Sequence, residues 1–306
     1  MLETKKGAIY KAFGFNIFSE IPMPELSQIN EQESLIDIEI RMDKNFHFEL
    51  LDVPYKHVVQ GTKVMFYIPN VALFSVQDGE KITISPEKEI EEGLIRLFVL
   101  GTCMGIVLMQ RKILPLHGSA ITIDGKAYGF IGESGRGKST LAAGFLNLGY
   151  KLLSDDVIAI SLAENCIPYV IPSYPQQKLW QKSLEHFGMH ANEYKTLVGR
   201  ENKYSIPVDA YYFSNPVPLA GLFELVIAES GEIEIREIKK LEQLHTLLCQ
   251  TYRNFLIPRL ELMEWHFDIS AKIIQHIDMY QLHRPEIEFT VSRLTSIILK
   301  TIDEKE

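Results

Sequence analysis

Between an apolar run ending in Phe130-Ile131 and the helix-forming stretch Ser139-Thr140-Leu141-Ala142-Ala143-Gly144-Phe145-Leu146 lies Gly132-Glu133-Ser134-Gly135-Arg136-Gly137-Lys138-Ser139. The segment fits G-x-x-x-x-G-K-[ST] at every defined position. Glycines let a backbone curl so that successive N–H groups point inward, and a helix N-terminus adds the positive end of its dipole. Such a loop is a cradle for phosphate oxygens. Its contacts would come from Gly132, Ser134, Gly135, Arg136, Gly137 and Thr140, with Lys138 reaching the β- and γ-phosphates and the Ser139 hydroxyl ligating Mg²⁺. The cofactor this implies is ATP or another nucleoside triphosphate with Mg²⁺. The plainer alternative is a glycine-rich turn feeding a helix without a ligand.

A chain of 306 residues buries a full core and suggests two domains at most. Its net charge of −9, with no stripe of Lys and Arg interleaved with aromatics, argues against a nucleic-acid partner. Cys103, Cys166 and Cys249 lie far apart in no CxxC or Cys/His cluster, which speaks against structural zinc and fits reduced thiols in a cytoplasmic protein. The N-terminal MLETKKGAIYKAFGF is too polar for a secretory signal. The longest apolar run, 97–109, falls short of the roughly 20 residues that cross a bilayer, so a buried helix and no membrane partner are expected. The oligomeric state stays open, a homo-oligomer included.

Two domains are expected, a β-rich 1–88 and a catalytic 89–306. Strands are predicted at 9–17, 35–40, 64–68, 72–76 and 81–85 from composition and alternation. His47 and His57 read as surface or packing residues, with no ligand-spaced partner. A helix follows at 87–110, acidic at its start (Glu87, Glu89, Glu91, Glu92) and basic at its end (Arg111, Lys112), with Gly101 and Gly105 giving it a smooth face. Segments 121–123 and 126–131 form a hairpin around Asp124-Gly125, and strands follow at 151–154 and 157–161. Further on, the reading gives a helix at 178–187 ending at Gly188 and a polar, mobile loop at 189–203. A hairpin then joins 219–228 to 233–238 through 229–232. Helices come at 239–250, 253–264 and 268–278, a strand at 279–282, and a last helix from Pro285 to about Ile302.

Asp155-Asp156 lies about seventeen residues past Lys138, at the C-terminal end of the next strand, where open α/β sheets bind ligands. Adjacent carboxylates on an extended backbone project to opposite sides. One can hold Mg²⁺, directly or through water, while the other faces a substrate hydroxyl as general base. A turn that caps the strand is the alternative. His117, in Leu116-His117-Gly118-Ser119-Ala120, is either a packed structural histidine or a neighbour of the phosphates. Lys178, Lys203, Arg253 and Arg284 are candidates for a phosphate or a substrate carboxylate, and each reads equally as a solvated or salt-bridged charge.

His117-Gly118-Ser119-Ala120, the run IDGKAYGFIGESGRGKST and Leu152-Leu153-Ser154-Asp155-Asp156 together resemble the catalytic domain of HPr serine kinase/phosphorylase, a family related to phosphoenolpyruvate carboxykinase rather than to ordinary P-loop ATPases. Lys178-Leu179-Trp180, Lys203-Tyr204-Ser205-Ile206-Pro207-Val208, Thr251-Tyr252-Arg253 and Arg284-Pro285 are similar to a subgroup encoded with lasso-peptide biosynthesis, whose members phosphorylate a C-terminal serine of the precursor peptide. The resemblance implies an α/β fold with a P-loop kinase core of the HPr kinase/phosphoenolpyruvate carboxykinase type, preceded by a smaller β-rich domain and followed by C-terminal helices. It implies His117 near the phosphates and Lys138 and Ser139 on ATP-Mg²⁺. It favours Asp155 as the base and turns Asp156 toward Mg²⁺, His117 or Lys138. The acceptor would be a precursor peptide or small protein. The chain departs from HPr kinases in lacking their Glu-x-Arg-Gly-type segment, so neither the reverse reaction nor HPr as substrate follows. An ATP-dependent serine kinase is thus expected. The alternatives are a small-molecule hydroxyl kinase on the same fold and a nucleotide-dependent switch or assembly factor without transfer chemistry.

Overall fold

Ile38 and Ile40 are buried while Glu39 between them is partly exposed, the alternation that gives a short segment one dry face and makes it a strand. A computed structural model describes residues 7–30, 35–47, 56–87, 90–228, 232–286 and 289–305. In it β1 (Ala8–Ala12), β2 (Phe15–Ser19), β3 (Ser27–Ile29), β4 (Ile38–Met42), β5 (His57–Gln60), β6 (Lys63–Ile68), β7 (Ala72–Gln77) and β8 (Lys81–Pro86) form one mixed sheet in the order β3-β1-β2-β4-β8-β7-β6-β5. The single strand expected at 9–17 is a hairpin, because Phe13 and Gly14 turn the chain at φ values of 52° and 78°. His57 packs between the rings of Phe66 and Phe255, and His47 is exposed.

The apolar run becomes one helix, Glu92–Gln110, in which α1 (Glu92–Phe98) and α2 (Met104–Gln110) flank a π-helical turn, Val99–Cys103. By length and composition it is able to cross a bilayer, yet 67% of its most apolar window is buried inside the protein. Val99, Cys103, Met104 and Val107 share a core with Phe66, Phe74 and Ile82 of the first sheet, and with Val157, Ala159 and Leu256 from later in the chain. The helix starts at Glu92 rather than 87, and Glu89 of the expected acidic start lies outside the described residues, as do 1–6 of the N-terminal segment.

β9 (Leu114–Ile123) and β10 (Lys126–Ile131) pair antiparallel around Asp124-Gly125, as expected. α3 (Lys138–Asn147), β11 (Lys151–Ser154), β12 (Val157–Leu162) and β13 (Pro168–Ile171) follow. Next come β14 (Gln176–Trp180), α4 (Gln181–His186), β15 (Lys195–Thr196), β16 (Lys203–Pro207), β17 (Val217–Ile227), β18 (Glu234–Glu237), α5 (Leu241–Gln250), α6 (Leu256–Arg259), α7 (Met263–Ile273), β19 (Asp278–Arg284) and α8 (Val291–Asp303). The second sheet runs β10-β9-β12-β13-β17-β19-β18 with β11 on β9, and a further β10–β17 pairing closes five of these strands into a barrel. Phe145 of α3 stacks on Phe130, which meets Phe223 at a tilt, and Phe223 stacks on Tyr280. Each fully buried ring contributes ~1.5–3 kcal/mol of burial free energy. A Cβ on Gly144 would meet Val291 Cγ1 at 2.2 Å, so glycine there lets α8 close over α3.

Several sequence expectations are corrected. Lys178 lies in a strand, not a helix, because β14 pairs with β16 over its whole length and α4 starts only at Gln181. The span 189–203 is no featureless loop: it carries β15, and β14-β16-β15 make a third small sheet. β17 and β18 form no hairpin with each other. β19 pairs with both, parallel to β17 and antiparallel to β18, and residues 229–231 of the expected turn lie outside the described residues. The helix expected at 253–264 shrinks to α6 between Arg253 and Glu261, both at positive φ (55° and 57°), and the next moves forward to Met263–Ile273. The last helix begins at Val291 behind Thr290 rather than at Pro285, because β19 stays extended through Arg284.

Candidate active site

β10 delivers the chain to Gly132, whose φ is +136° and where a Cβ would meet the Leu225 carbonyl oxygen at 2.7 Å. Only glycine fits there. Gly135 and Gly137 also take positive φ, and α3 begins at Lys138. The Lys138 ammonium is buried and donates to the carbonyls of Gly132 and Glu133, each at 2.8 Å. Burial pushes its pKa down to about 8, against the pull of Asp156 and Asp155. Arg136 turns outward to pair with Glu133. Arg284, at the end of β19, donates from Nε to the Arg136 carbonyl at 3.1 Å and pins the loop to the second sheet. The Thr140 and Ser183 hydroxyls share a hydrogen bond of 2.9 Å that ties α3 to α4.

Asp155 and Asp156 are the whole connection between β11 and β12. Their carboxylates diverge, but not along an extended backbone: Asp156 has a φ of 77°, and the tight turn separates them. Asp155 is buried. Its Oδ1 accepts from the Ser119 hydroxyl at 2.5 Å and its Oδ2 from the backbone N–H of Lys178 at 2.8 Å. Asp156 is partly exposed, accepts from Lys178 Nζ at 2.9 Å and stands 3.6 Å from His117 Nδ1. Burial alone would raise the Asp156 pKa, but the Lys178 ammonium and His117 outweigh it and hold the carboxyl well below the usual range. For Lys178 burial opposes the charge and Asp156 wins, raising the pKa above the ordinary lysine value. Burial and the Lys138 charge lower His117 below its usual 6.5. Its Nδ1 lies 3.1 Å from the Asp156 carbonyl, which can only accept, so Nδ1 carries the proton of the neutral ring. A Cβ on Gly118 would meet the Phe130 carbonyl at 2.4 Å, so the strand holding His117 tolerates no side chain there.

These elements enclose a cleft of ≈ 460 Å³. Of the residues singled out in the sequence, His117, Ser134, Gly135, Gly137, Lys138, Ser139, Thr140, Asp155, Asp156, Lys178, Lys203 and Arg284 line it. Gly132 shapes the loop behind it, and Arg136 contributes a backbone carbonyl to Arg284. Arg253 does not line the cleft: its guanidinium donates to the Thr102 hydroxyl at 3.1 Å and lies over its own neighbour, Tyr252. It is Tyr252 that reaches the site, its ring 5.7 Å from that of His117. Gly101 and Gly105 are its seat, because a Cβ on Gly105 would stand 2.6 Å from the ring. Ser119, Trp180 and Tyr252, which stood in the quoted sequence motifs without a site role of their own, thus join the site. Trp180, two residues along a strand from Lys178, shares its face, which follows only from the strand.

The donor set fits a magnesium ion carried by a nucleotide. The Ser139 hydroxyl and the Asp156 carboxylate face one cleft, and Mg²⁺ commonly takes one or two carboxylates with phosphate and water oxygens. Among the described residues no group of three or more His, Cys, Asp or Glu forms a metal cage.

No protein-family model matches the chain. Over 121 residues it is 27% identical to the HPr kinase/phosphorylase of Mycoplasmopsis pulmonis (strain UAB CTIP), a match covering 39% of this chain and 30% of that relative's length. The Hpr(Ser) kinase/phosphatase structure from Coxiella burnetii aligns with 63% of this chain and 99% of its own, at 13% identity and a TM-score of 0.33. In sequence, the chain is distantly similar to the HPr kinase/phosphorylases.

Proposed function

We propose that the protein is an ATP-dependent phosphotransferase acting on a serine hydroxyl of a peptide or small protein, with the C-terminal serine of a lasso-peptide precursor as the leading acceptor. One observation carries the reading: a glycine-shaped loop with a buried lysine and a pair of aspartates from a different turn share one cleft. A phosphate cradle needs only the first, whereas transfer to a hydroxyl needs a carboxylate beside it.

In this reading the loop N–H groups, Lys138 and Arg284 hold the nucleotide phosphates. Mg²⁺, held by Ser139 and Asp156, would offset charge on the β- and γ-phosphates. Asp156, kept anionic by Lys178 and His117, is a weak base and a good partner for cations. Asp155, fixed by Ser119 and the Lys178 N–H, is the group left to take the acceptor proton. The acceptor oxygen bonds to the γ-phosphorus as the bond to the β,γ-bridging oxygen breaks. The proton goes to Asp155 and ADP leaves. Positioning and charge stabilisation supply most of the rate in such transfers. The test is incubation with ATP-Mg²⁺ and a peptide ending in serine, with the phosphate located by mass spectrometry. A phosphoserine at its C-terminus supports the reading, and an unmodified peptide beside consumed ATP counts against it.

A further inference from the structure

The small sheet β14-β16-β15 sets Trp180 directly across from Lys203, and Lys178 across from Ser205. Residues two apart on a strand share a face, and Lys178, Trp180 and Lys203 all line the cleft. The two lysines are held differently. Lys178 is buried and committed to Asp156. Lys203 Nζ lies 5.5 Å from the centroid of the Trp180 ring and, among the described residues, has no carboxylate within ion-pair distance. Burial lowers its pKa, while Asp156 and Asp155 act on it from a distance in the other direction. Trp180 leaves 42% of its surface open, a large apolar face at the cleft for a chain of this kind to keep wet.

An aromatic face steadies an ammonium without neutralising it. The result is a cation short of an anion, beside an exposed flat surface. In the phosphotransferase reading the nucleotide phosphates already have the loop N–H groups, Lys138 and Arg284, all lining the same cleft, and leave Lys203 over. Lys203 comes from a separate sheet and stands by the aspartate pair, where an acceptor hydroxyl must arrive to give its proton to Asp155.

We propose that Lys203 and Trp180 form an anion subsite for the phosphate acceptor, in which the ammonium takes a carboxylate carried close to the reacting hydroxyl and the indole takes the adjoining apolar part. The inference rests on the phosphotransferase reading and names the acceptor's chemical class, a hydroxyl compound bearing a nearby carboxylate. Carboxylate from the acceptor and phosphate from the nucleotide are the two anions that fit a lysine, and the experiment separates them.

Trp180 and Trp265 are the chain's two tryptophans, so a Trp265→Phe background leaves Trp180 as the reporter. Its emission is titrated, under saturating ADP-Mg²⁺, with N-acetylserine and with N-acetylserinamide, which keeps the hydroxyl but lacks the carboxylate. The acid should produce a saturable change and the amide should bind at least about tenfold more weakly, the scale of one charge-assisted contact. Lys203→Ala should reduce the acid to the level of the amide, and Lys203→Arg, which keeps the charge, should restore most of the difference. Equal binding of acid and amide would overturn the subsite. So would a Lys203→Ala protein that bound ADP-Mg²⁺ poorly and N-acetylserine normally, because the anion would then be the nucleotide's. The two readings fail separately. Carboxylate discrimination in a protein that transfers no phosphate sinks the kinase reading, whereas transfer without discrimination sinks only the subsite.

Discussion

The cleft has two walls built in different ways. One is the turn from β10 into α3, contiguous in sequence, its path dictated by glycines at positive φ and a lysine bonded to the carbonyls of its own loop. The other is assembled: Asp155-Asp156 from a two-residue turn, Lys178 and Trp180 from β14, and Lys203 from β16. Glycine conformations set the first wall. Long-range pairing and a largely buried ion pair set the second. The two are also divided in chemistry, with the contiguous wall suited to phosphates and the assembled wall suited to the group that receives one.

The largest effect belongs to the contiguous wall. Lys138→Ala should weaken ATP-Mg²⁺ and lower transfer by about 10³-fold or more, because it removes charge that follows the β- and γ-phosphates into the transition state. Near wild-type turnover in quench-flow assays would mean that the loop holds no nucleotide.

The assembled wall should respond first in stability. Lys178→Met leaves Asp156 without its cation; since that carboxylate keeps 26% of its side-chain surface exposed, the loss is discounted to about 1–3 kcal/mol. The pH dependence has a definite sign. Asp156 has a depressed folded pKa, so its contribution is present above the unfolded carboxylate value near ~3.9 and fades as pH falls through the folded one. The difference in melting temperature between wild type and Lys178→Met should therefore be full at neutral pH and shrink in strong acid. A difference that grew toward acid would contradict the pairing.

A smaller change tests the seat of Tyr252. Gly105→Ala forces the ring away from His117 and should cost about 1–3 kcal/mol of stability. Transfer should slow while nucleotide affinity, set by the other wall, stays the same. Equal loss of both in calorimetry and turnover would show that the walls are not separable.

The smallest effect is a fraction of one proton. Lys138 in the free protein has a pKa of about 8, and bound phosphates would raise it, so above that pH nucleotide binding should draw a proton onto its neutral amine. Calorimetry of ADP-Mg²⁺ at pH 8.5, an assay value of about half a unit above that pKa, in buffers of different ionisation enthalpy would register the uptake. Lys138→Arg should abolish it, since guanidinium does not titrate there.

The two walls also differ in how far the sequence revealed them. Loop, helix and the Asp124-Gly125 hairpin were legible because glycine spacing and turn chemistry act within a few residues. Asp155-Asp156 was legible by position, though its divergence comes from the turn at Asp156 and not from strand alternation. Lys178 and Lys203 were named, but as parts of a helix and a loop. The strand at 203–207 defines the one at 176–180, and nothing within either segment shows that pairing. Likewise β19 enters between β17 and β18 from far along the chain, Gly221 against Asp278, so the local hairpin reading failed. Arg253 looked functional as a charge beside Tyr252, yet burial turned the tyrosine inward and left the guanidinium on Thr102.

The division of labour between the walls is tested most directly by Asp155→Asn, with a non-hydrolysable ATP analogue titrated by calorimetry beside single-turnover transfer to the serine-terminated peptide. The Mg²⁺-nucleotide should bind with unchanged affinity and transfer should be slower by about 10²- to 10⁴-fold, the usual range for a lost general base. Transfer at the wild-type rate, or a matching loss of nucleotide affinity, would contradict that division.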